Sequence, residues 1–237
     1  MTDANVAIIP GGTGSVGLCL VPKLLDRGFK VAVSYLLPDE ASTLEETLDL
    51  DEDQLIIRRV DMSDAQAVET FFTEVVERFG PINAMASLVG GWSGGRDIIE
   101  TSHVRLERML DLNVKTAWNA TRSAIPRMSD EWGRIILIGS KHAHDCPAGQ
   151  AAYNMAKAAV FSLARSTATE LLDTNITANA LLPSVINTEA TRQALPYADY
   201  VHWPEPSDIA DVINFLASEE SKVIDGAGVP VWGATVI

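Results

Sequence analysis

The sequence predicts an α/β fold: a doubly wound parallel sheet of about seven strands with helices on both faces. Short apolar segments alternate with segments of helical periodicity along the chain, the pattern of strands joined by helical crossovers. The strand-like segments are almost continuously apolar, as strands buried on both faces are. The chain has 237 residues, of which 47% are hydrophobic. No linker or repeat divides it, so we expect one domain over residues 1–237.

Each predicted strand is a short apolar run bounded by turn residues or by a helical pattern. The strands are Val6–Ile9, Lys30–Tyr35, Gln54–Val60, Asn83–Val89, Arg134–Ile138, Ile176–Leu182 and Val229–Val231. Helices are predicted from Val16 to near Gly28, from Pro38 to about Leu50, from about Ser102 to Met128, over Ala151–Leu172 and over Ser207–Ala217. Another helix is predicted to begin after Ser63 or Asp64, either of which can be its N-cap. Ser207 is the predicted N-cap of the last helix. Residues 188–206 lack a clear period, so we expect a substrate-binding loop there.

The composition limits which partners and which cellular compartment we expect. The chain carries 18 Lys and Arg against 32 Asp and Glu, a formal net charge of −14, and such a surface repels nucleic acid and anionic membranes. We therefore expect neither as a partner, and no apolar run approaches the ~20 residues that span a bilayer. The two cysteines, Cys19 and Cys146, fit free thiols, and without a signal-peptide pattern they predict a cytoplasmic protein.

A glycine-rich turn, Pro10-Gly11-Gly12-Thr13-Gly14-Ser15-Val16-Gly17, lies between the first strand and the first helix. Glycines let the backbone approach a pyrophosphate there, and the helix N-terminus offers free N–H groups. This strand–turn–helix context predicts a dinucleotide-binding Rossmann domain, whereas a P-loop phosphotransferase would need Lys-Ser/Thr after the turn. The expected cofactor contacts in this turn are Gly11, Thr13, Ser15, Val16 and Gly17.

Further cofactor contacts are expected where other strands end, because the carboxyl ends of parallel strands face one crevice. These contacts are Tyr35 after the second strand, Asp61 and Met62 after the third, and Val89, Gly90 and Gly91 after the fourth. Asp61 is placed to reach an adenine ring.

The candidate chemistry rests on Tyr153 and Lys157, which share one helix face at a spacing of four residues. An ammonium beside a phenol favours the phenolate, so we expect a lowered pKa at Tyr153 and a proton donor or acceptor for hydride transfer with a nicotinamide. Ser140 precedes Tyr153 by thirteen residues, after the fifth strand, and Asn113 lies inside the long preceding helix.

Taken together, these motifs resemble the short-chain dehydrogenase/reductase family over essentially the whole chain. The resemblance implies that Tyr153 is the general acid/base, that Lys157 also holds the nicotinamide ribose, that Ser140 polarises the substrate oxygen and that Asn113 supports a proton-relay water. It implies cofactor contacts after the sixth strand from Pro183, Val185, Ile186 and Thr188. It further implies a homotetramer or homodimer that acts on a small alcohol/ketone pair. The chain departs from the usual motif at several positions, namely Pro10, Ser15, Ser87-Leu88-Val89-Gly90 and Pro183-Ser184.

The cofactor is expected to be NAD(H) or NADP(H), with a slight preference for NAD(H). NAD-selective proteins carry an acidic residue at the end of the second strand, which bonds the ribose hydroxyls and repels a 2′-phosphate. That position is Tyr35, and no cation in the following Leu36-Leu37-Pro38 offers a phosphate partner.

Two alternatives stay open. The loops Gly90–Gly95 and Thr191–Asp199, continuing to Trp203-Pro204, resemble dihydropteridine reductases, which reduce quinonoid dihydropterins. A remote alternative is a nicotinamide-binding regulator without turnover.

Substrate contacts are expected from Trp92, Trp203, His142 and His144. The two histidines lack a second cluster at zinc spacing, so we expect no metal site.

Overall fold

A computed structural model describes residues 4–38, 44, 46 and 53–234. Its strands form a single parallel sheet in the order β3-β2-β1-β4-β5-β6-β7. They are β1 (Val6–Pro10), β2 (Lys30–Tyr35), β3 (Leu55–Arg59), β4 (Ala84–Ser87), β5 (Gly133–Ile138), β6 (Ile176–Pro183) and β7 (Gly228–Val231). The predicted seven-stranded, doubly wound sheet is confirmed, and its strand order reverses between β1 and β4, where open α/β sheets bind ligands.

The helices that the structure describes lie between these strands. They are α1 (Ser15–Asp26), α2 (Ala65–Phe79), α3 (His103–Met109), α4 (Thr116–Ala124), α5 (His142–Asp145), α6 (Ala151–Glu170), α7 (Glu189–Ala194) and α8 (Pro206–Leu216). A π-helical segment, Leu110–Lys115, joins α3 to α4 within the long helix predicted from Ser102. Most of the helix predicted from Pro38 to Leu50 lies outside the described residues. None of the described helices is long and apolar enough to cross a membrane.

Two apolar layers cover the two faces of the sheet. One contains buried side chains of α2, α4 and α6, with Phe72 among the largest fully buried groups. The other contains buried side chains of α1 and α8, including Leu20 and Ile213. Because both faces are covered, polar groups that cofactor and substrate need are left to the strand ends and the loops beyond them.

The structure confirms one prediction about helix ends and corrects another. Asp64 caps α2, since its carboxylate accepts hydrogen bonds from the backbone N–H groups of Gln66 and Ala67. Ser207 does not cap α8: the N-cap is Glu205, and Pro206 occupies the first turn. Proline suits that position because its φ is already helical and the first-turn N–H is not needed.

The segment 188–206 is less irregular than predicted. It begins with α7, whose N-cap Thr188 exchanges hydrogen bonds with Thr191 in a capping box. A helix of six residues is too short for apolar periodicity to reveal it. The segment then returns to the end of the sheet, where the backbone N–H of Asn187 donates to the carbonyl of Pro204.

Candidate active site

The glycine turn lies at the point where the strand order reverses. Gly11 has a φ of +74°, and a Cβ there would lie 2.9 Å from a methyl carbon of Val89. A Cβ on Gly17 would lie 2.1 Å from the carbonyl oxygen of Gly12. The turn therefore requires glycine at both positions, for backbone conformation at Gly11 and for close helix packing at Gly17.

A cleft of about 670 Å³ opens at this edge of the sheet. Six of its lining residues are predicted cofactor contacts: Gly11, Thr13, Asp61, Met62, Val89 and Gly90. Other lining residues were missed by the sequence analysis, and they include Gly14, Ser34, Leu36, Leu37, Ser63, Val104 and Arg108. A glycine-walled cleft beside a helix N-terminus fits the pyrophosphate and adenosine of a dinucleotide.

Asp61 stands where the adenine contact was predicted. The Ser63 hydroxyl and backbone N–H both donate to its carboxylate, at 2.7 Å and 2.8 Å. These bonds hold the pKa of Asp61 below its ordinary value. The carboxylate is thus ionised and oriented, with lone pairs left to accept from an amino group of an adenine ring.

Tyr153, Lys157 and Ser140 converge at the first turns of α6. Lys157 is buried, its Nζ donates to the carbonyl of Ile138 at 2.9 Å, and it lies 5.8 Å from the centroid of the Tyr153 ring. Ser140 is buried at the end of β5, and its Oγ accepts from the backbone N–H of His142 at 3.1 Å. The strand end and the helix face together bring a hydroxyl, a phenol and an ammonium to one place.

The pKa of Tyr153 departs from the prediction. Burial raises it above the ordinary value of a phenol, and a hydrogen bond with Ser140 acts in the opposite direction. The expected lowering does not occur because burial disfavours the phenolate. Burial also lowers the pKa of Lys157, to about 8. In the protein alone, Tyr153 is therefore a protonated acid at neutral pH.

Asn113 lies in the π-helical segment, where it is buried. Its amide Nδ2 donates to the carbonyls of Gly91 and Met109, each at 3.0 Å, and its Oδ1 accepts from the backbone N–H of Gly91 at 3.1 Å. A Cβ on Gly90 would lie 2.8 Å from this Oδ1 and 3.1 Å from Nζ of Lys157. Asn113 therefore holds the chain beyond β4 close to α6, and one Oδ1 lone pair remains for a water.

The predicted substrate contacts separate into two groups. His142 lies against Tyr153, with ring centroids 5.9 Å apart and the planes near perpendicular, and burial lowers the pKa of its imidazole. Trp92 lies above the start of α6, where its indole N–H donates to Gln150 at 2.6 Å. Gln150 is a contact that the sequence analysis missed, and its position one residue before α6 was the available signal.

His144 and Trp203 do not lie beside Tyr153. His144 is exposed and packs on Phe161, with ring centroids 6.0 Å apart, two turns further along α6 than Tyr153. Trp203 packs on Tyr200 within its own loop, at 6.1 Å. The short helix α5 explains the difference between the two histidines, because residues two apart on a helix point in different directions.

The predicted contacts after β6 lie at the same edge of the sheet. The carbonyl of Pro183 accepts from the backbone N–H of Lys141, one residue after Ser140, at 2.8 Å. The hydroxyl of Thr188 is occupied as the cap of α7. Val185 and Ile186 lie between these two fixed points, half-buried.

Known proteins resemble this chain over almost its whole length. The family model described as "Enoyl-(Acyl carrier protein) reductase" matches residues 11–233. The 3-oxoacyl-(acyl-carrier-protein) reductase MabA of Mycobacterium tuberculosis is 32% identical over 235 residues, which cover 95% of this chain and 90% of that protein.

Two solved structures extend the comparison. A short-chain dehydrogenase/reductase from Serratia marcescens superposes with a TM-score of 0.89 at 28% identity, covering 97% of this chain and 96% of that one. A blue fluorescent protein from a metagenomic library, solved in complex with NADPH, has a TM-score of 0.85 at 27% identity, with the same coverage of 97% and 96%. The chain thus belongs to the short-chain dehydrogenase/reductase family and is an NAD(P)-dependent oxidoreductase that interconverts an alcohol and a carbonyl compound.

Proposed function

We propose that Tyr153 is the general acid/base of this oxidoreductase and that Ser140, Lys157 and Asn113 complete the catalytic set. The observation that carries the proposal is the convergence of a half-buried phenol with a buried hydroxyl and a buried ammonium: Ser140 acts to lower the pKa of Tyr153, and the Lys157 Nζ lies 5.8 Å from the centroid of the Tyr153 ring. Such a set suits proton transfer to a carbonyl oxygen.

When bound, the nicotinamide cofactor supplies or accepts a hydride. In the reductive direction, Ser140 donates a hydrogen bond to the carbonyl oxygen, and Tyr153 transfers its proton to that oxygen. The ammonium of Lys157 stabilises the phenolate that remains. The backbone N–H of His142 donates to Ser140 Oγ; this bond uses a lone pair of the oxygen and not the hydroxyl hydrogen, which Ser140 needs as a donor to the substrate. Asn113 acts as a positioning residue for the segment after β4.

The cofactor is proposed to lie in the cleft at the carboxyl ends of the strands. The proposed contacts are Gly11, Thr13, Ser15, Val16, Gly17, Tyr35, Asp61, Met62, Val89, Gly90, Gly91, Pro183, Val185, Ile186 and Thr188, together with Tyr153 and Lys157. Tyr35 by itself gives a slight preference for NAD(H), because it is not a cation that would pair with a 2′-phosphate. Arg59, which was not among the predicted cofactor contacts, changes the expected preference between NAD(H) and NADP(H).

The substrate is proposed to be a small ketone or its alcohol, bound between Tyr153, His142 and Trp92, with the segment 188–206 contributing from the other side. The name of the relative MabA, a 3-oxoacyl reductase, supports a carbonyl substrate. It does not favour the quinonoid pterin that the loop resemblance suggested. The presence of Ser140 also supports a ketone, since a donor at the developing oxyanion is what ketone reduction needs.

Ser140→Ala tests this substrate class. If the substrate is a ketone, kcat should fall roughly 10²–10³-fold, as for loss of one oxyanion donor. The measurement is NAD(P)H oxidation with a panel of aliphatic, aryl and β-keto ester substrates, with a quinonoid dihydropterin as comparison. Rapid dihydropterin reduction that survives Ser140→Ala, with no ketone turned over, would replace the proposal by the pterin reaction.

The proposed assembly is a homo-oligomer, a tetramer or a dimer, in a cytoplasmic setting. An apolar groove beside α6 is lined by Ile98, Ile99 and Met155, all exposed in the single chain. Cys19 and Cys146 are free thiols, as a reducing compartment maintains them.

A further inference from the structure

The carboxyl end of β2 forms one wall of the cofactor cleft. Ser34, Leu36 and Leu37 line the cleft there, next to the glycine turn. In a fold of this type, the adenosine ribose lies at the end of the second strand, so this wall meets either a free 2′-hydroxyl or a 2′-phosphate. An acidic side chain would select the hydroxyl, but the strand ends in Tyr35.

Arg59 lies beside this wall. It ends β3 and pairs in parallel register with Tyr35. Its Nε donates to the backbone carbonyl of Leu36 at 3.0 Å, and the side chain is exposed. This bond uses Nε and holds the guanidinium at the end of β2, which leaves the N–H donors of its two terminal amino groups for another partner. Among the residues that the structure describes, no carboxylate pairs with them.

A guanidinium fixed in this way fits a phosphate. Its planar fork presents parallel N–H donors that match two phosphate oxygens, and it stays charged at all physiological pH values. The carbonyl of Leu36 fixes the side chain in advance, which reduces the entropy lost when a phosphate binds. The bare 2′-hydroxyl of NAD(H) would gain no charge pairing at this position.

We propose that Arg59 binds the 2′-phosphate of NADP(H) and that the enzyme therefore prefers NADP(H) over NAD(H). The inference rests on the proposed position of the cofactor in the cleft. The proposal reverses the NAD(H) preference that was predicted from the second strand. The reason is that the cation, Arg59, lies on β3, 23 residues after Leu36 in the sequence.

Arg58 supplies a matched control. It is the neighbouring residue and is also exposed, but both its Nε and its Nη2 donate to the carboxylate of Glu74 on α2, at 2.9 Å and 2.6 Å. Arg58→Gln thus removes one positive charge from the same strand without changing the end of β2. Arg108, which also lines the cleft, is the competing phosphate partner, so Arg108→Gln is the third variant.

The direct test compares adenosine 2′,5′-bisphosphate with 5′-AMP by titration calorimetry, since the two differ only in the 2′-phosphate. We expect the wild type to bind the bisphosphate more tightly and Arg59→Gln to lose roughly ten- to hundredfold of that preference, as for a charge-assisted hydrogen bond. The ratio of kcat/KM for NADPH to that for NADH should fall by a similar factor. Arg58→Gln should leave both quantities unchanged.

Three outcomes would overturn the proposal: equal binding of the two nucleotides together with equal use of NADH and NADPH, an equal loss in Arg58→Gln, or a loss in Arg108→Gln instead. Nucleotide binding needs no turnover, so failure of the proposed reaction remains distinguishable. An enzyme that reduces no carbonyl but still shows the Arg59-dependent preference would refute the reaction and retain the 2′-phosphate site.

Discussion

Tyr153 and Lys157 stand one turn apart on α6, and burial favours the neutral form of each. It raises the pKa of the phenol and lowers that of the ammonium to about 8. At neutral pH both groups still carry their protons, so the site holds an acid next to a cation. This is the state that proton donation to a carbonyl oxygen needs.

Replacing the phenol tests this role directly. Tyr153→Phe should reduce kcat roughly 10²–10⁴-fold, because only the proton donor is lost. The cofactor dissociation constant, measured by NADPH fluorescence, should change little, since the ring remains in place. A variant that retains near-normal turnover would contradict the assignment of Tyr153 as general acid.

The pH dependence of the reaction should reflect Lys157. Carbonyl reduction needs the charged ammonium and the protonated phenol, so kcat/KM should be constant below about pH 8 and fall as the pH rises through the pKa of Lys157. The measurement is a pH–rate profile between pH 6 and 10, with a stability check at each end.

Lys157→Arg is the control for that profile. Its guanidinium remains charged throughout this range, so the fall should move to more alkaline pH even if the maximal rate is lower. A wild-type profile that stays constant to pH 10, or one that is unchanged in Lys157→Arg, would exclude Lys157 as the titrating group.

At the scale of elements, the π-helical segment Leu110–Lys115 determines where Asn113 points. A π-turn widens the helix, and such turns occur frequently at functional sites. Here it accompanies a side chain whose amide makes three hydrogen bonds to backbone groups of Gly91 and Met109. One residue thus connects the end of β4 to the helix that packs on α6.

Asn113→Ala should therefore affect both stability and rate. Loss of these bonds leaves half-buried backbone groups of Gly91 unpaired, which should cost about 1–3 kcal/mol of unfolding free energy. We expect kcat to fall as well, because the chain after β4 loses its anchor. Urea denaturation and steady-state kinetics measure the two effects.

Asn119→Ala is the matched control for this variant. It removes another buried asparagine, one that donates to the carbonyl of Met62 at 3.0 Å beside the cofactor cleft. Its stability loss should be similar, but it should raise the KM for the cofactor rather than lower kcat. Equal effects of the two variants on kcat would show that Asn113 has no particular connection to the chemistry.

At the scale of the whole molecule, the exposed apolar groove beside α6 is the surface that we expect the proposed homo-oligomer to bury. Ile98, Ile99 and Met155 are 71%, 92% and 55% exposed in the single chain, and clustered apolar side chains of this kind mark interaction sites. Ile99→Lys should shift the protein to a smaller species in sedimentation velocity, because an ammonium would be buried without a partner.

Leu172→Lys provides the comparison for that experiment. Leu172 is 70% exposed but lies beyond the carboxyl end of α6, outside the groove. The Leu172→Lys substitution should leave the sedimentation coefficient unchanged. A wild-type protein that sediments as a single chain would rule out the proposed homo-oligomer.

The fold and the closeness of Tyr153 and Lys157 were predictable because their signals are local. Apolar runs and helical periods identify strands and helices within a few residues, and a spacing of four puts Tyr153 and Lys157 on one face. Helix ends were less predictable: a proline at the first turn moved the cap of α8 to Glu205, although Ser207 has the better capping side chain.

The sequence by itself determined the order of the elements, the glycine turn and the residues proposed to carry the chemistry. Tertiary structure alone decided the pKa directions, since burial of Tyr153 and Lys157 depends on groups distant in the chain. It also decided that His142 faces Tyr153 while His144 packs on Phe161. Arg59 reaches the end of β2 only through strand pairing. The physical reason is that burial and pairing join segments far apart in sequence, whereas periodicity and turn chemistry act between neighbours.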